Sequence, residues 1–178
     1  MNLSKLNIKE LAALIYETLK KNDIDAVLVG GACVSIYSKN RYQSIDLDFV
    51  TYSELVPIEK ALSKLGFKRT GRCFSNPKCL FLIDFVNPPI AVGHQSIHKF
   101  KTLKTTSGSL KLLNPTDCVK DRLASFFHWN DEQALEQALL VSENCLIDLS
   151  DLKRWAKKEG FEKKMKLFLT KTRKVKKT

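Results

Sequence analysis

The chain has 178 residues, 44% of them apolar, and no apolar run approaches the roughly 20 residues that span a bilayer, which excludes helical membrane spans. Its five cysteines are odd in number and include no CxxC, which argues against a zinc site and a disulfide framework and for reduced thiols in a cytoplasmic protein. The net charge of +11 is uneven: residues 151–178 hold 12 basic and 3 acidic side chains and the first 150 hold 18 and 16, so the excess sits in the C-terminal tail, as a nucleic-acid footprint or a solvated helix.

Residues 3–21 place Leu6, Leu11, Leu14, Ile15 and Leu19 at helical spacing, with Ser4 or Asn7 as the cap, and carry no signal-peptide pattern. Residues 25–30 read as a buried strand, 31–37 as a short helix, 39–44 as a loop and 45–51 as a second strand. A helix follows from Ser53 or Glu54 to about Leu65, stopped by Gly66. A short strand is expected at 67–72, a turn at 75–77, and a near-continuous apolar strand at 79–86, ended by Asn87-Pro88-Pro89. Residues 97–103 suit a strand and 105–109 a turn. Leu113 to Asp117 marks a boundary with Thr116 as helix cap, and three helices are expected at 118–129, 131–144 and 149–168. The organisation is α+β, a mixed sheet flanked by helices over 1–113 followed by a helical unit with a basic tail over 114–178.

The chemistry concentrates in residues 27–50, VLVGGACVSIYSKNRYQSIDLDFV. The apolar run ends at Gly30-Gly31, where a strand can turn into a helix whose exposed N–H groups bind phosphate. Asp46 and Asp48 are two residues apart, so on a strand both carboxylates point to one face. Two carboxylates beside a phosphate cradle make a site for Mg²⁺, or Mn²⁺, carrying a nucleoside triphosphate. Asp84 lies in CLFLIDFV among residues that want burial, and a buried carboxylate needs a cation, hydrogen bonds or a proton; a metal shared with Asp46 and Asp48 supplies the first. Other signals are weaker. His94 and His98 have helical metal spacing, but Pro88, Pro89 and Gly93 argue against a helix there. Phe126, Phe127 and Trp129 read as core. No G-x-x-x-x-G-K-[ST] occurs.

Gly30-Gly31, then Asp46-Leu47-Asp48, then Asp84 on a later strand resembles the minimal nucleotidyltransferase superfamily, and GGACVSIY…R-x-x-S-x-D-x-D-F resembles its AbiEii-type abortive-infection toxin branch. There, a basic and a small hydroxyl residue precede the Asp pair, as Arg41 and Ser44 do here. The segment from Asn114 to Ser125 is similar to the family's later helical motif, which makes Lys120 and Arg122 candidates for nucleotide contact. Two departures stand out: Ala32 follows Gly-Gly, so backbone N–H groups alone would hold the phosphates, and His128-Trp129-Asn130-Asp131 stands where an Arg-Asp pair is common. The resemblance implies transfer of a nucleotide from an NTP to an acceptor hydroxyl. Asp46, Asp48 and Asp84 would hold the metal and serve catalysis, and Gly30, Gly31, Arg41, Ser44, Lys120 and Arg122 would hold the nucleotide. It further implies an RNA acceptor such as tRNA, a toxin role and a cognate antitoxin. The alternatives from the residues themselves are a small-molecule or protein acceptor, or an inert nucleic-acid-binding or antitoxin-like module.

Overall fold

The computed structural model describes residues 3–175, with side chains to residue 173. The last lysines of the tail, Lys176 and Lys177, on which the basic-tail reading partly rests, lie outside the described residues. Seven strands form one mixed sheet in the order β3-β4-β5-β2-β1-β9-β8. They are β1 (Ala26–Val29), β2 (Asp46–Thr51), β3 (Lys68–Thr70), β4 (Cys73–Ser75), β5 (Leu82–Val86), β8 (Phe100–Thr105) and β9 (Gly108–Leu113). A separate small hairpin joins β6 (Ala91–Val92) to β7 (Gln95–Ser96). Within the sheet β2 runs parallel to β5 and β1 parallel to β9; the other neighbours are antiparallel.

The helices follow from local signals. A short 3₁₀ turn (Leu3–Lys5) precedes α1 (Ile8–Lys20), whose cap is Asn7: its side chain accepts from Glu10 N at 3.0 Å. The buried stripe Leu11, Ile15 and Leu19 lies on the sheet over β1 and β9. The helix α2 (Gly30–Tyr37) starts directly from β1, and α3 (Leu55–Ser63) packs beside α1. The second half is helical: α4 (Pro115–Trp129), α5 (Glu132–Asn144), α6 (Leu149–Lys158) and α7 (Glu162–Val175). One contiguous core includes Leu11, Leu28 and Phe49 from the first half and Leu123, Phe127 and Phe168 from the second.

Several expectations need correction. The strand at 79–86 is shorter and alternates: Ile83 and Phe85 are buried while Leu82 and Val86 are exposed, and Leu80 lies outside it, 89% exposed. A continuous apolar run was therefore a strand with one covered face, not two. The turn expected at 105–109 is the hairpin turn between β8 and β9 but is narrower, with β9 starting at Gly108, and the turn expected at 75–77 begins one residue inside β4; neither β4 nor β9 was expected. The strand expected at 97–103 sits three residues later as β8. The cap of α4 is Asn114, which accepts from Asp117 N at 3.0 Å with Pro115 in the first turn; Thr116 Oγ1 instead accepts from Asp148 N at 3.1 Å. The helix expected at 149–168 is two, broken at Gly160, whose φ of +79° favours a residue without Cβ. Phe126 and Phe127 are core, Phe127 stacking on Trp155 and Phe161 with centroids 5.5 and 5.1 Å away, but Trp129 is 83% exposed.

Candidate active site

Strand alternation separates a buried face from a polar one. On β2, Leu47 and Phe49 are buried and Asp46 and Asp48 are half-buried; on β5, Ile83 and Phe85 are buried and Asp84 is half-buried. The apolar side chains form the core face, where Phe85 packs on Phe49 and Phe74 with centroids 6.0 and 5.6 Å apart. Asp46, Asp48 and Asp84 point the other way. The parallel register puts Asp48 directly opposite Asp84 and Asp46 opposite Leu82, so all three carboxylates share one face. Across the other edge of β2, Asp48 pairs with Val29, the last residue before the turn into α2.

That turn is fitted to the carboxylates. Gly30 has φ +67°, and a Cβ there would stand 2.6 Å from Asp48 Oδ2. Glycine is required twice, by the backbone and by the carboxylate against it. At Gly31 a Cβ would meet Ser44 Oγ at 3.1 Å. Ser44 Oγ donates to Asp46 O at 3.0 Å and accepts from Asp46 N at 3.2 Å, while Ser44 N donates to Ser35 Oγ at 2.8 Å. Ser44 thus pins the start of β2 against α2. Val29 caps α2 without a side-chain hydrogen bond, so the cap residue's side chain does not take the first-turn N–H groups beside Asp48.

The electrostatics are strained toward negative. Desolvation, and then the neighbouring Asp46 and Asp84 carboxylates, push the Asp48 carboxyl up to about 6; Arg122 pulls in the opposite direction. Asp121, which sequence reading passed over, adds a further negative charge. It also holds Arg122: Asp121 Oδ2 accepts from Arg122 Nε at 3.0 Å and Nη2 at 2.5 Å, and Gln137 Oε1 accepts from Nη1 at 3.3 Å. The signal available was the Lys-Asp-Arg triplet at 120–122; the role of Gln137 depends on α5 folding back and has no local signature.

Two expected nucleotide contacts are placed elsewhere. Lys120 is fully buried, its ammonium 2.5 Å from Asp151, 3.2 Å from Asp117 and 3.1 Å from Gln95 Oε1. Two helical positions turn a side chain by about 200°, so Lys120 and Arg122 leave α4 on opposite sides. The Arg41 guanidinium pairs with Glu143 on α5. His94 is not on a helix; its backbone N–H and ring bond the Glu159 carboxylate at 2.8 and 2.9 Å. Among the described residues no group of three or more His, Cys, Asp or Glu is gathered as a preformed metal cluster.

No family model matches the chain, and no curated protein matches it either. Solved structures do. An antigenic nucleotidyltransferase-like protein from Paracoccidioides brasiliensis superposes with a TM-score of 0.58 over 75% of this chain and 74% of its own, at 14% identity. The fold is nucleotidyltransferase-like. The antibiotic-resistance factor ANT(2'')-Ia also matches, at a TM-score of 0.48 and 13% identity over 80% of this chain and 85% of its own. Within a nucleotidyltransferase-like fold the polar sheet face carries Asp46, Asp48 and Asp84, and the opposite face carries the core. Among the described residues no helix is long and apolar enough to cross a membrane.

Proposed function

We propose that this chain is a Mg²⁺-dependent nucleotidyltransferase that moves a nucleoside monophosphate from an NTP to a hydroxyl of RNA. The observation that carries the reading is the register of Asp84 on Asp48, with the Gly30 backbone closing on the Asp48 carboxylate. Desolvation first, and then the Asp46 and Asp84 charges, raise the Asp48 carboxyl, and a bound cation would relieve the second of these. The donor set is all oxygen and suits Mg²⁺ or Mn²⁺. A preformed cluster of three ligands is not needed, because Mg²⁺ takes one or two protein carboxylates and completes its shell with phosphate oxygens and water. Asp46 and Asp48 would hold the ion, which when bound neutralises the triphosphate and the leaving group.

The protein groups divide the remaining work. The first-turn N–H groups of α2, at Gly31 and Ala32, bind the β- and γ-phosphates, and Arg122, oriented by Asp121 and Gln137, adds a positive charge on the same side. The acceptor oxygen bonds to the α-phosphorus as the bond to the bridging oxygen breaks, and pyrophosphate departs with that electron pair. The hydroxyl proton passes to Asp84. Its Oδ1 already accepts from Phe85 N at 2.8 Å, and Oδ2, which lies 4.0 Å from Arg72 Nη2, takes this role.

Incubation with α-labelled NTPs and total RNA tests the reading. Label enters RNA with the wild type and not with Asp46→Ala or Asp48→Ala; absence of label in every case sinks it. The resemblance to AbiEii-type toxins extends the proposal to a toxin restrained by a cognate antitoxin. Growth arrest on expression, relieved by Asp46→Ala, is the corresponding observation.

A further inference from the structure

Between Glu59 and Asp84 the chain holds six basic residues, Lys60, Lys64, Lys68, Arg69, Arg72 and Lys78, and no acidic one. The near-neutral total of the first 150 residues hides this local excess. All six are exposed. Among the described residues only Arg72 of the six has a carboxylate within ion-pair distance, and that is Asp84, at 4.0 Å. Among the described residues the other five have no carboxylate within ion-pair distance, and Lys64 Nζ donates to Asn22 Oδ1 at 2.7 Å.

The register fixes where Lys68 lies. The row Thr70–Cys73–Asp84–Asp48 crosses four adjacent strands from the sheet edge to the candidate site. Lys68, two residues before Thr70 on β3, therefore presents its side chain on the carboxylate face. With strands about 4.8 Å apart, the edge strand is about 10 Å from Asp84, within one screening length at 0.1 M salt. Arg72 follows the turn at Gly71, whose φ is +63° and whose carbonyl accepts from Arg69 Nε at 3.0 Å, and reaches from there toward Asp84. At the other end of the hairpin Lys64 and Lys78 line an open groove of about 860 Å³ beside Gly66 and Asn76. Leu82 and Val86 flank Asp84 on the same face, each 38% exposed, and offer an apolar floor.

We propose that the β3–β4 hairpin is the acceptor surface of this site, and that it takes single-stranded RNA, the phosphates tracking along Lys78, Lys68 and Arg72 and a base lying on Leu82 or Val86. This rests on the nucleotidyltransferase reading and places the acceptor on the sheet edge, not on the C-terminal tail. Polyanion affinity comes from such arrays, and the exposed Leu82 and Val86 beside them give the bases an apolar surface to lie on.

The test is fluorescence anisotropy of a labelled 12-nucleotide single-stranded RNA, in EDTA and without NTP, across a salt series. The proteins compared are the wild type, the triple variant Lys68→Ala/Arg72→Ala/Lys78→Ala, the matching variant Lys68→Arg/Arg72→Lys/Lys78→Arg, and Lys163→Ala/Lys166→Ala/Arg173→Ala as tail control. The hairpin alanine variant is expected to lose at least tenfold in affinity, with the log K against log salt slope smaller by about 2, from about 0.7 per phosphate contact. The charge-retaining and tail variants are expected to stay near wild type. Several results overturn the proposal: no RNA binding by the wild type, the loss falling in the tail variant, polyglutamate of equal charge competing as well as unlabelled RNA, or a hairpin variant that self-associates with unchanged affinity. The last outcome would mark the lysines as guards of an exposed edge strand. Because neither metal nor NTP is present, failure here leaves the donor-site reading standing, and failure of NTP binding leaves this result readable.

Discussion

A methyl group on Gly30 would stand 2.6 Å from an Asp48 oxygen on a backbone already at φ +67°. Gly30→Ala should therefore destabilise the protein by about 2 kcal/mol, from the left-handed conformation plus displacement of Asp48, and should abolish transfer; urea melts and the label assay read the two effects. Asp48 itself stores the opposite cost. Its folded carboxyl lies near 6 against a reference of 3.8, chiefly through desolvation. The folded state thus binds more protons than the unfolded between those values. Without metal, the Asp48 contribution to stability should be greatest below about pH 4, fall as pH rises to 6, and stay flat above. Asp48→Asn removes the charge, so in EDTA it should exceed wild-type stability by roughly 2 kcal/mol above pH 6, the full shift discounted for partial solvent contact, and match it near pH 4. Thermal melts across pH 4–8 check this; an equal or less stable variant at pH 7.5 contradicts it. At this scale the carboxylate pair was legible because period-two spacing is local, and Asp84 because a lone acid stands out in an apolar run. The reason for Gly30 was only half legible: sequence suggested a phosphate, while the structure adds Asp48. Ser44 was found by motif, and its work, pinning β2, is positional.

The elements show where local reading ran out. β2 and β5 carry strong apolar signatures and were expected, but the alternation that exposes Leu82 and Val86 was hidden because CLFLIDFV is apolar at almost every position. β4 and β9 are short hairpin partners of β3 and β8, and each is built into the sheet by a strand far away in sequence, β5 for β4 and β1 for β9, so a turn signal beside each prevailed. α4 separates two functions that its sequence could not assign. Lys120, fully buried among Asp117, Asp151 and Gln95, ties α4 to α6 and to the β6–β7 hairpin. Lys120→Ala leaves those carboxylates without their cation and should cost about 3 kcal/mol, with little change in the NTP KM of the protein that remains folded. Arg122→Ala should do the reverse, raising KM for NTP severalfold at a smaller stability cost. If Lys120→Ala shifts KM and Arg122→Ala does not, the two sides of α4 have been assigned the wrong way round.

For the molecule as a whole, the buried sheet face and the second-half helices share one core, while the other face is left to carboxylates, a helix N-terminus and a basic edge. Composition pointed to the C-terminal tail as the site of positive charge. The described part of that tail is partly committed: Lys164 caps the end of α4 by donating to Phe126 and Phe127 carbonyls, and Lys171 lies 3.8 Å from Glu132. The hairpin charge was as visible in sequence, but only the register shows that it borders Asp84. The central claim is that Asp46 and Asp48 bind a nucleotide through a divalent ion. Calorimetric titration of a mixture of non-hydrolysable NTPs tests it most directly, with and without Mg²⁺, into the wild type and Asp46→Asn/Asp48→Asn at pH 7.5. Binding should require Mg²⁺ in the wild type and be lost in the variant; no metal-dependent binding by the wild type, or equal binding by the variant, would rule this role out.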